Sequence, residues 1–348
     1  MINVLVVDDS EVIQQFLVHL LSSDPDIQVV GVANSGLEAL KMAEKKRPNV
    51  ITMDVHMPVM DGYEATRAIM ESFPTPIVIV SGSLQVKEME NSFKLIEAGA
   101  LAVVVRPPGI GHPDYKTARD NLIKTVKLMS EVKVVRRFPG QSATRPKKTP
   151  NRPKAFVKTR DIQLVAIGAS TGGPIILQAI LSKIPKELSV PVLIVQHIAK
   201  GFTNGFRDWL ALSSNIPLSV AVDGENLLPG NAYIAPENYQ MGITRDLKIK
   251  LQKLPPENGM CPSVDFLFRS VTEMVGSKAI GVLLTGMGKD GAKELRNMKK
   301  NNAVTIVQDE ASCIVFGMPG EAIKIGAADH ILPPEKIVAA LSDILSNG

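Results

Sequence analysis

Ser170 lies in the run Gly168-Ala169-Ser170-Thr171-Gly172-Gly173, directly after the apolar stretch Ile162 to Ile167 and directly before the helix-like stretch Pro174 to Ser182. A serine on a strand-to-helix turn is exposed for nucleophilic attack. Such a turn takes glycine where a side chain would block the tight backbone or the incoming substrate. Gly168-x-Ser170-x-Gly172 fits that elbow pattern. The turn alone fits a second chemistry as well, because a glycine-rich strand-helix turn also cradles phosphate with its backbone N–H groups.

The neighbouring strand ends bear on the choice. His197 follows a predicted strand over 191–196, and Asp290 lies in Leu284-Thr285-Gly286-Met287-Gly288-Lys289-Asp290-Gly291, after a predicted strand Ala279 to Leu284. Serine, base and orienting acid then share one sheet edge. His197 takes the serine proton, and Asp290 accepts from the other ring nitrogen and stabilises the imidazolium. Backbone N–H groups around Met287, with those at the start of the helix after Ser170, supply an oxyanion hole. The order Ser, His, Asp departs from the Ser, Asp, His order of α/β-hydrolases, so the elbow does not import that fold. His330, the other histidine of this half, has no nucleophile among its neighbours and reads as structural.

A second group of chemical residues lies in the first half. Asp8-Asp9 ends one apolar run, Asp54 a second, Ser81 a third and Arg106 a fourth. Three carboxylates meeting in one crevice repel one another unless a cation neutralises them. Mg²⁺, a hard ion that takes carboxylates and water, suits Asp8, Asp9 and Asp54 and shields an incoming phosphoryl group from the attacking carboxylate.

The elements that must position these residues follow from alternation. Up to about residue 130, five apolar runs (2–7, 27–33, 49–53, 76–80 and 101–105) alternate with amphipathic stretches such as Val12, Ile13, Phe16, Leu17, Leu20 and Leu21. That is the pattern of an α/β domain with a parallel sheet and helices on both faces. Ser10 and Ser35 are predicted helix caps, and Asp61-Gly62 starts the third helix. From Asp161 the pattern restarts with strand 162–167 and helix 173–182. Residues 225–251 read as an antiparallel hairpin insertion, and Ser263 as a cap. Phe202, Phe206 and Trp209 stand at helix spacing and suit core better than cleft lining. Expected boundaries are 1–130, a linker 131–160, and 161–348, giving two doubly wound domains.

Composition narrows the function class. The 348 residues carry a net charge of +4, yet residues 136–160 alone hold nine cations and no acid; subtracting the nine leaves −5 elsewhere. That segment also carries Pro139, Pro146, Pro150 and Pro153 and reads as a self-repelling tether rather than a nucleic-acid surface. Cys261 and Cys313 have no metal-type spacing and are expected as reduced thiols. The start lacks a basic leader, and no apolar run reaches the roughly 18 residues of a membrane span, so a cytoplasmic protein without membrane insertion is expected.

With these residues in place, the first ~130 residues resemble the receiver domain of bacterial two-component response regulators. The resemblance implies Asp8 and Asp9 as metal-binding acids, Asp54 in Met53-Asp54-Val55-His56-Met57-Pro58 as the phosphorylated aspartate, and Ser81 as the switch hydroxyl. His56 is expected as a surface group. Arg106-Pro107 stands where the family has lysine, and Val103 where it often has an aromatic switch; arginine keeps the charge in a different shape.

Residues 162 to about 345 resemble the catalytic domain of chemotaxis protein-glutamate methylesterases. The stretches that carry this are Ile167 to Gly173, Gln196-His197, Gly201-Phe202-Thr203, Leu228 to Pro236, Pro262 to Phe266, Leu284 to Gly291 and Glu310 to Pro319. It implies Ser170 as nucleophile, His197 as base, Asp290 as orienter and Thr171 as shaper of the elbow. The substrates implied are methyl-glutamates, with selected glutamines, on chemoreceptor cytoplasmic helices. It also implies a chemotaxis histidine kinase as phosphodonor, no cofactor for hydrolysis, and a receiver that packs over the catalytic cleft until phosphorylated. Three rival readings fare worse. The chain lacks the dinucleotide fingerprint and the P-loop lysine of a nucleotide binder, and it shows no helix-turn-helix for a DNA-binding regulator. An idle esterase would not keep an intact triad.

Overall fold

The computed structural model describes residues 1–82, 93–132, 134 and 161–346. The chain divides into two compact units, Met1–Pro150 and Asn151–Gly348. The basic segment 136–160 lies outside the described residues, as does nearly all of the expected linker.

In the first unit, β1 (Ile2–Val7), β2 (Ile27–Ala33), β3 (Val50–Met53), β4 (Ile77–Ser81) and β5 (Ala102–Val105) form a parallel sheet in the order β2-β1-β3-β4-β5. The runs are near-continuously apolar because helices cover both faces. Leu5, Val7, Ile51, Met53, Ile77 and Ile79 bury one face against Ala39, Ala43, Ala65 and Ile69 of α2 (Gly36–Lys46) and α3 (Gly62–Ser72). On α1 (Glu11–Leu21), Leu17, Leu20 and Leu21 are buried at helix spacing. α4 (Tyr115–Ser130) follows β5. Ser35 and Asp61 cap α2 and α3 through their side chains. Ser10 stands at the N-cap of α1, and its carbonyl accepts the Gln14 N–H at 2.9 Å, but its side chain makes no capping bond; its own N–H donates to Asp8 Oδ1 at 2.9 Å, the local turn an aspartate forms two residues on. The strand order reverses between β1 and β3, so the crevice beyond their carboxyl ends is the place for a ligand.

The second unit holds a seven-stranded parallel sheet in the order β14-β13-β12-β6-β7-β9-β8. Its strands are β6 (Leu164–Ala169), β7 (Val192–Gln196), β8 (Leu218–Val220), β9 (Ala232–Ile234), β12 (Ala279–Leu283), β13 (Val304–Gln308) and β14 (His330–Leu332). The helices are α5 (Gly173–Leu181), α6 (Thr203–Ala211), α7 (Val264–Val275), α8 (Ala292–Lys300), α9 (Met318–Lys324) and α10 (Pro334–Ser346). β10 (Gln240–Ile243) and β11 (Ile249–Gln252) form a separate antiparallel pair. The expected hairpin insertion is therefore confined to 240–252. β9 instead runs parallel between β7 and β8, and its three residues are too few to show a period and are all buried. Phe202, Phe206 and Trp209 are core, at most 3% exposed, the last two stacked at 6.2 Å. β7 and β9 extend the sheet on one side of β6, and β12 to β14 extend it on the other. The reversal of strand order therefore falls between β6 and β12.

Candidate active site

Ser170 leaves β6, His197 leaves β7 and Asp290 follows β12, the strands on either side of β6. Parallel register pairs Ala169 with Gln196, and the His197 N–H donates to the Ala169 carbonyl at 2.9 Å. Adjacent strands are about 4.8 Å apart, so residues 170 and 197 emerge side by side at one edge. The Ser170 N–H is taken by the Thr285 carbonyl of the β12 loop at 3.0 Å, which ties the third strand end to the same spot.

The elbow is tight on every side. Gly172 has a φ of +78° at the N-cap of α5, and the Gly173 N–H folds back to the Ser170 carbonyl at 2.8 Å. A Cβ on Gly286 would sit 2.7 Å from Ser170 Cβ and 2.4 Å from Met318 Sδ, so only glycine lets the β12 loop pass Ser170. Half-buried Met287 follows on that loop, and the Gly286 carbonyl is pinned by the Gly317 and Met318 N–H groups at 3.1 and 2.8 Å. Half-buried Thr171 accepts from Thr285 Oγ1 through its carbonyl at 3.0 Å.

His197 Nε2 meets Asp290 Oδ2 at 2.9 Å, with the two side chains 9% and 4% exposed. Its Nδ1 is buried without a hydrogen-bond partner. The carboxylate thus holds one ring nitrogen and leaves the other able to accept a proton. Asp290 is itself fixed at the N-terminus of α7. Its Oδ2 also accepts the Val264 N–H at 2.7 Å, and its Oδ1 accepts Ser263 Oγ–H at 2.9 Å and the Asp265 N–H at 3.1 Å. Burial pushes its pKa up. The bond and charge of His197, with the Val264 N–H and the Ser263 hydroxyl, outweigh this and leave it below the usual carboxylate range.

Sequence reasoning gave no role to two residues here. Gln196, 3% exposed, donates through Nε2 to the Ser170 and His197 carbonyls at 2.8 Å each, so one amide braces both residues. Asp265 lies behind Asp290 in the first turn of α7 and accepts from the Gly291 and Glu294 N–H groups at 3.1 and 3.2 Å. A polar residue at the last strand position, in Gln196, and an acid directly after a capping serine, in Asp265, are the signals that mark them. His330 sits on the edge strand β14, three places from β6 in the sheet. Cys261 and Cys313 are free thiols, and burial and then the charge of Asp309 push Cys313 up to about 12.

In the first unit Asp8, Asp9 and Asp54 each offer a carboxylate oxygen within 4.8 Å of the others. Burial and then the charge of Asp8 push Asp54 up to about 6; Asp9 adds to the push, while the Val55 N–H and Arg106 oppose it. Burial likewise raises Asp8, against its bond to the Ser10 N–H and the charge of Arg106. Ser81 is buried at the end of β4, and its carbonyl accepts the Arg106 N–H at 2.8 Å. The Arg106 guanidinium lies against Gly82, where a Cβ would come within 2.2 Å of it. His56 is exposed, and half-buried Val103 packs on the sheet core.

The family described as CheB methylesterase matches residues 165–341, and that described as response regulator receiver domain matches 4–111. A protein-glutamate methylesterase/protein-glutamine glutaminase of Geobacter metallireducens is 50% identical over 346 residues, 99% of each chain. One of Nitrosospira multiformis is 51% identical over 99% of this chain and 98% of its own. The crystal structure of the Thermotoga maritima CheB methylesterase catalytic domain is 39% identical and covers 52% of this chain and 97% of its own, with a TM-score of 0.51.

Proposed function

Because this chain belongs to the CheB methylesterase family, we propose that Ser170, His197 and Asp290 are its hydrolytic triad and Asp54 its phosphorylation site. The protein is a phosphorylation-regulated hydrolase that demethylates glutamate methyl esters and deamidates glutamines in chemotaxis. The single observation that carries the assignment of the triad is the His197–Asp290 contact of 2.9 Å, with Nδ1 left unbonded on the strand beside Ser170.

In this mechanism Ser170 Oγ attacks the side-chain carbonyl carbon while its proton passes to His197 Nδ1. The negative charge on the former carbonyl oxygen is met by backbone N–H groups at the start of α5 and around Met287. Collapse breaks the carbon–oxygen bond to the methoxy group, which takes the proton from His197 and leaves as methanol; with glutamine the leaving group is ammonia. Water then attacks the acyl-enzyme, giving its proton to His197, and the second collapse returns that proton to Ser170 and frees the glutamate side chain. Thr171 fixes the elbow through its carbonyl bond to Thr285.

The acid cluster fits a hard divalent cation: three carboxylates crowd one point, and burial first, then the charge of the neighbouring acids, raises Asp54 and Asp8. Asp8, Asp9 and Asp54 would hold Mg²⁺, which when bound supplies neutralising charge to phosphoryl oxygens. The Asp54 carboxylate would attack the phosphorus of a phosphohistidine, the phosphorus–nitrogen bond breaking as its electron pair leaves with the donor imidazole, and Ser81 and Arg106 would face the acyl phosphate as hydroxyl donor and cation. The phosphodonor proposed is a chemotaxis histidine kinase, and the substrates are methylated helices of chemoreceptors. Domain limits of 1–130 and 161–348, joined by the segment 131–160, suit this division of labour. Among the described residues no helix is long and apolar enough to cross a membrane.

The test is methanol release from methylated receptor fragments by the full chain, with and without Mg²⁺ and beryllofluoride. Ser170→Ala should lower kcat by at least ~10³-fold. A near-normal rate would overturn the assignment of the nucleophile.

A further inference from the structure

Behind the His197–Asp290 pair stands a second carboxylate with equally full contacts. Asp290 sits on the N-terminus of α7, and Asp265, in the first turn of α7, sits on the N-terminus of α8. Asp265 Oδ1 accepts the Gly291 and Glu294 N–H groups at 3.1 and 3.2 Å, and Oδ2 accepts Asn258 Nδ2–H at 2.8 Å. Its own N–H donates to Asp290 Oδ1 at 3.1 Å. Each acid therefore holds the helix start next to the other, and both are 4% exposed.

We propose that Asp265 is a positioning residue of the hydrolytic centre: it fastens the loop that carries Asp290 and keeps a second negative charge behind the imidazolium that forms on His197 during turnover. This rests on the triad reading above. An ordinary cap does not require an ionised group here, since a neutral acceptor satisfies the same N–H donors. Burial and then the charge of Asp290 push Asp265 up to about 6, with Glu294 adding to the push and the Glu294 N–H and Asn258 bonds opposing it. The other charges nearby are already paired. Arg269 is bound by Glu257 at 2.6 Å on this side of α7, and exposed Lys293 lies 3.6 Å from Glu294. An acid retained where its ionisation is resisted is the mark of a group kept for activity at the expense of stability.

The sign of the linkage follows from the raised value. Between the ordinary carboxylate range and about 6 the folded protein holds more protons than the unfolded one, so this group lowers stability as pH rises through that window. Asp265→Asn keeps an acceptor for Gly291 and Glu294 and removes the charge. In the full chain it should lower kcat for methanol release by about tenfold or more with KM little changed. It should also reduce the acid limb of the kcat/KM profile from two protons toward one, and raise the catalytic unit's melting temperature at pH 8 by about 2–4 °C but not at pH 4.5.

Wild-type kcat and an unchanged acid limb would overturn the proposal. So would a slower variant that is also less stable at pH 8, which would mark Asp265 as a plain cap. Exposed Asn258 offers a second handle: Asn258→Ala removes the 2.8 Å bond to charged Asp265, together with a longer 3.4 Å one to Asp290 Oδ1, and should move the acid limb to higher pH, and an unmoved limb counts against the proposal. Ser170→Ala run in parallel separates the two levels, because activity surviving in that variant sinks the triad itself, whereas activity lost there and intact in Asp265→Asn sinks only this inference.

Discussion

Asp290→Asn is the sharpest perturbation of the site, because it changes one atom in a group that receives five bonds. Oδ1 is reached by Ser263 Oγ, Asp265 N and Asn258 Nδ2 at 2.9, 3.1 and 3.4 Å, and Oδ2 by Val264 N and His197 Nε2 at 2.7 and 2.9 Å. If the amide nitrogen takes the place of Oδ2, its hydrogens confront the Val264 N–H. His197 must then accept at Nε2 and carry its proton on Nδ1, the atom needed as base. If it takes the place of Oδ1, its hydrogens confront the Asp265 N–H, the tautomer survives, and the charge facing the imidazolium is gone. Either arrangement leaves buried donors opposed, at a cost of about 1–3 kcal/mol. Catalysis suffers more: wrong tautomer or lost charge should lower kcat by about 10³-fold, with KM nearly unchanged. Initial rates of methanol release at saturating methylated fragment measure the catalytic loss, and urea unfolding of the catalytic unit measures the stability cost. The pH dependence has a definite sign. Asp290 is lowered in the folded state, so its contribution is complete above the ordinary carboxylate pKa and is lost as pH falls through the folded value. The variant's deficit at pH 7 should therefore shrink in acid, opposite to the behaviour expected at Asp265. A kcat within about tenfold of wild type would refute the orienting role.

Two further outcomes follow from named contacts. Gly286→Ala places a Cβ 2.4 Å from Met318 Sδ and 2.7 Å from Ser170 Cβ, and should cost about 1–3 kcal/mol by overpacking and lower kcat more than it raises KM; unchanged kinetics would show that the β12 loop does not hold the elbow. Because Asp54 is raised to about 6, its ionised form burdens the first unit above that pH, and a cation that removes the burden should raise stability more at pH 7.5 than at pH 5. Melting of the receiver with Mg²⁺ at a hundredfold excess over Kd should show about 2.7 kcal/mol of stabilisation, absent in Asp54→Asn, and no Mg²⁺ dependence would exclude a cation at the three acids.

The sequence made most of the skeleton readable because each residue proposed for catalysis or phosphoryl handling stands one to six positions past an apolar run. In a doubly wound sheet that position already names a place, the crevice at the strand ends. Strand edges were legible to within two residues, as with β6, which starts at Leu164 rather than Ile162. β9 was not, because three buried residues carry no periodicity and its partners β7 and β8 lie elsewhere in the chain. Ser10 stands at the N-cap position that the pattern marks, but its side chain makes no capping bond. Gln196 and Asp265 went unassigned for a different reason. Their roles depend on which carbonyls and helix ends they meet, and those come from residues up to 29 positions away.

The placement of the triad on both sides of β6 also bears on how the enzyme comes into being on the ribosome. β6, α5 and β7 form one local unit, so nucleophile and base can meet as soon as about thirty residues of that unit are out. Asp290 arrives 93 residues after His197, when β12 docks on the opposite flank of β6. Ser170 and His197 are therefore synthesised well before the carboxylate proposed to orient the base. Hydrolytic power appears late in synthesis, after the half that receives the phosphoryl signal has already had time to fold.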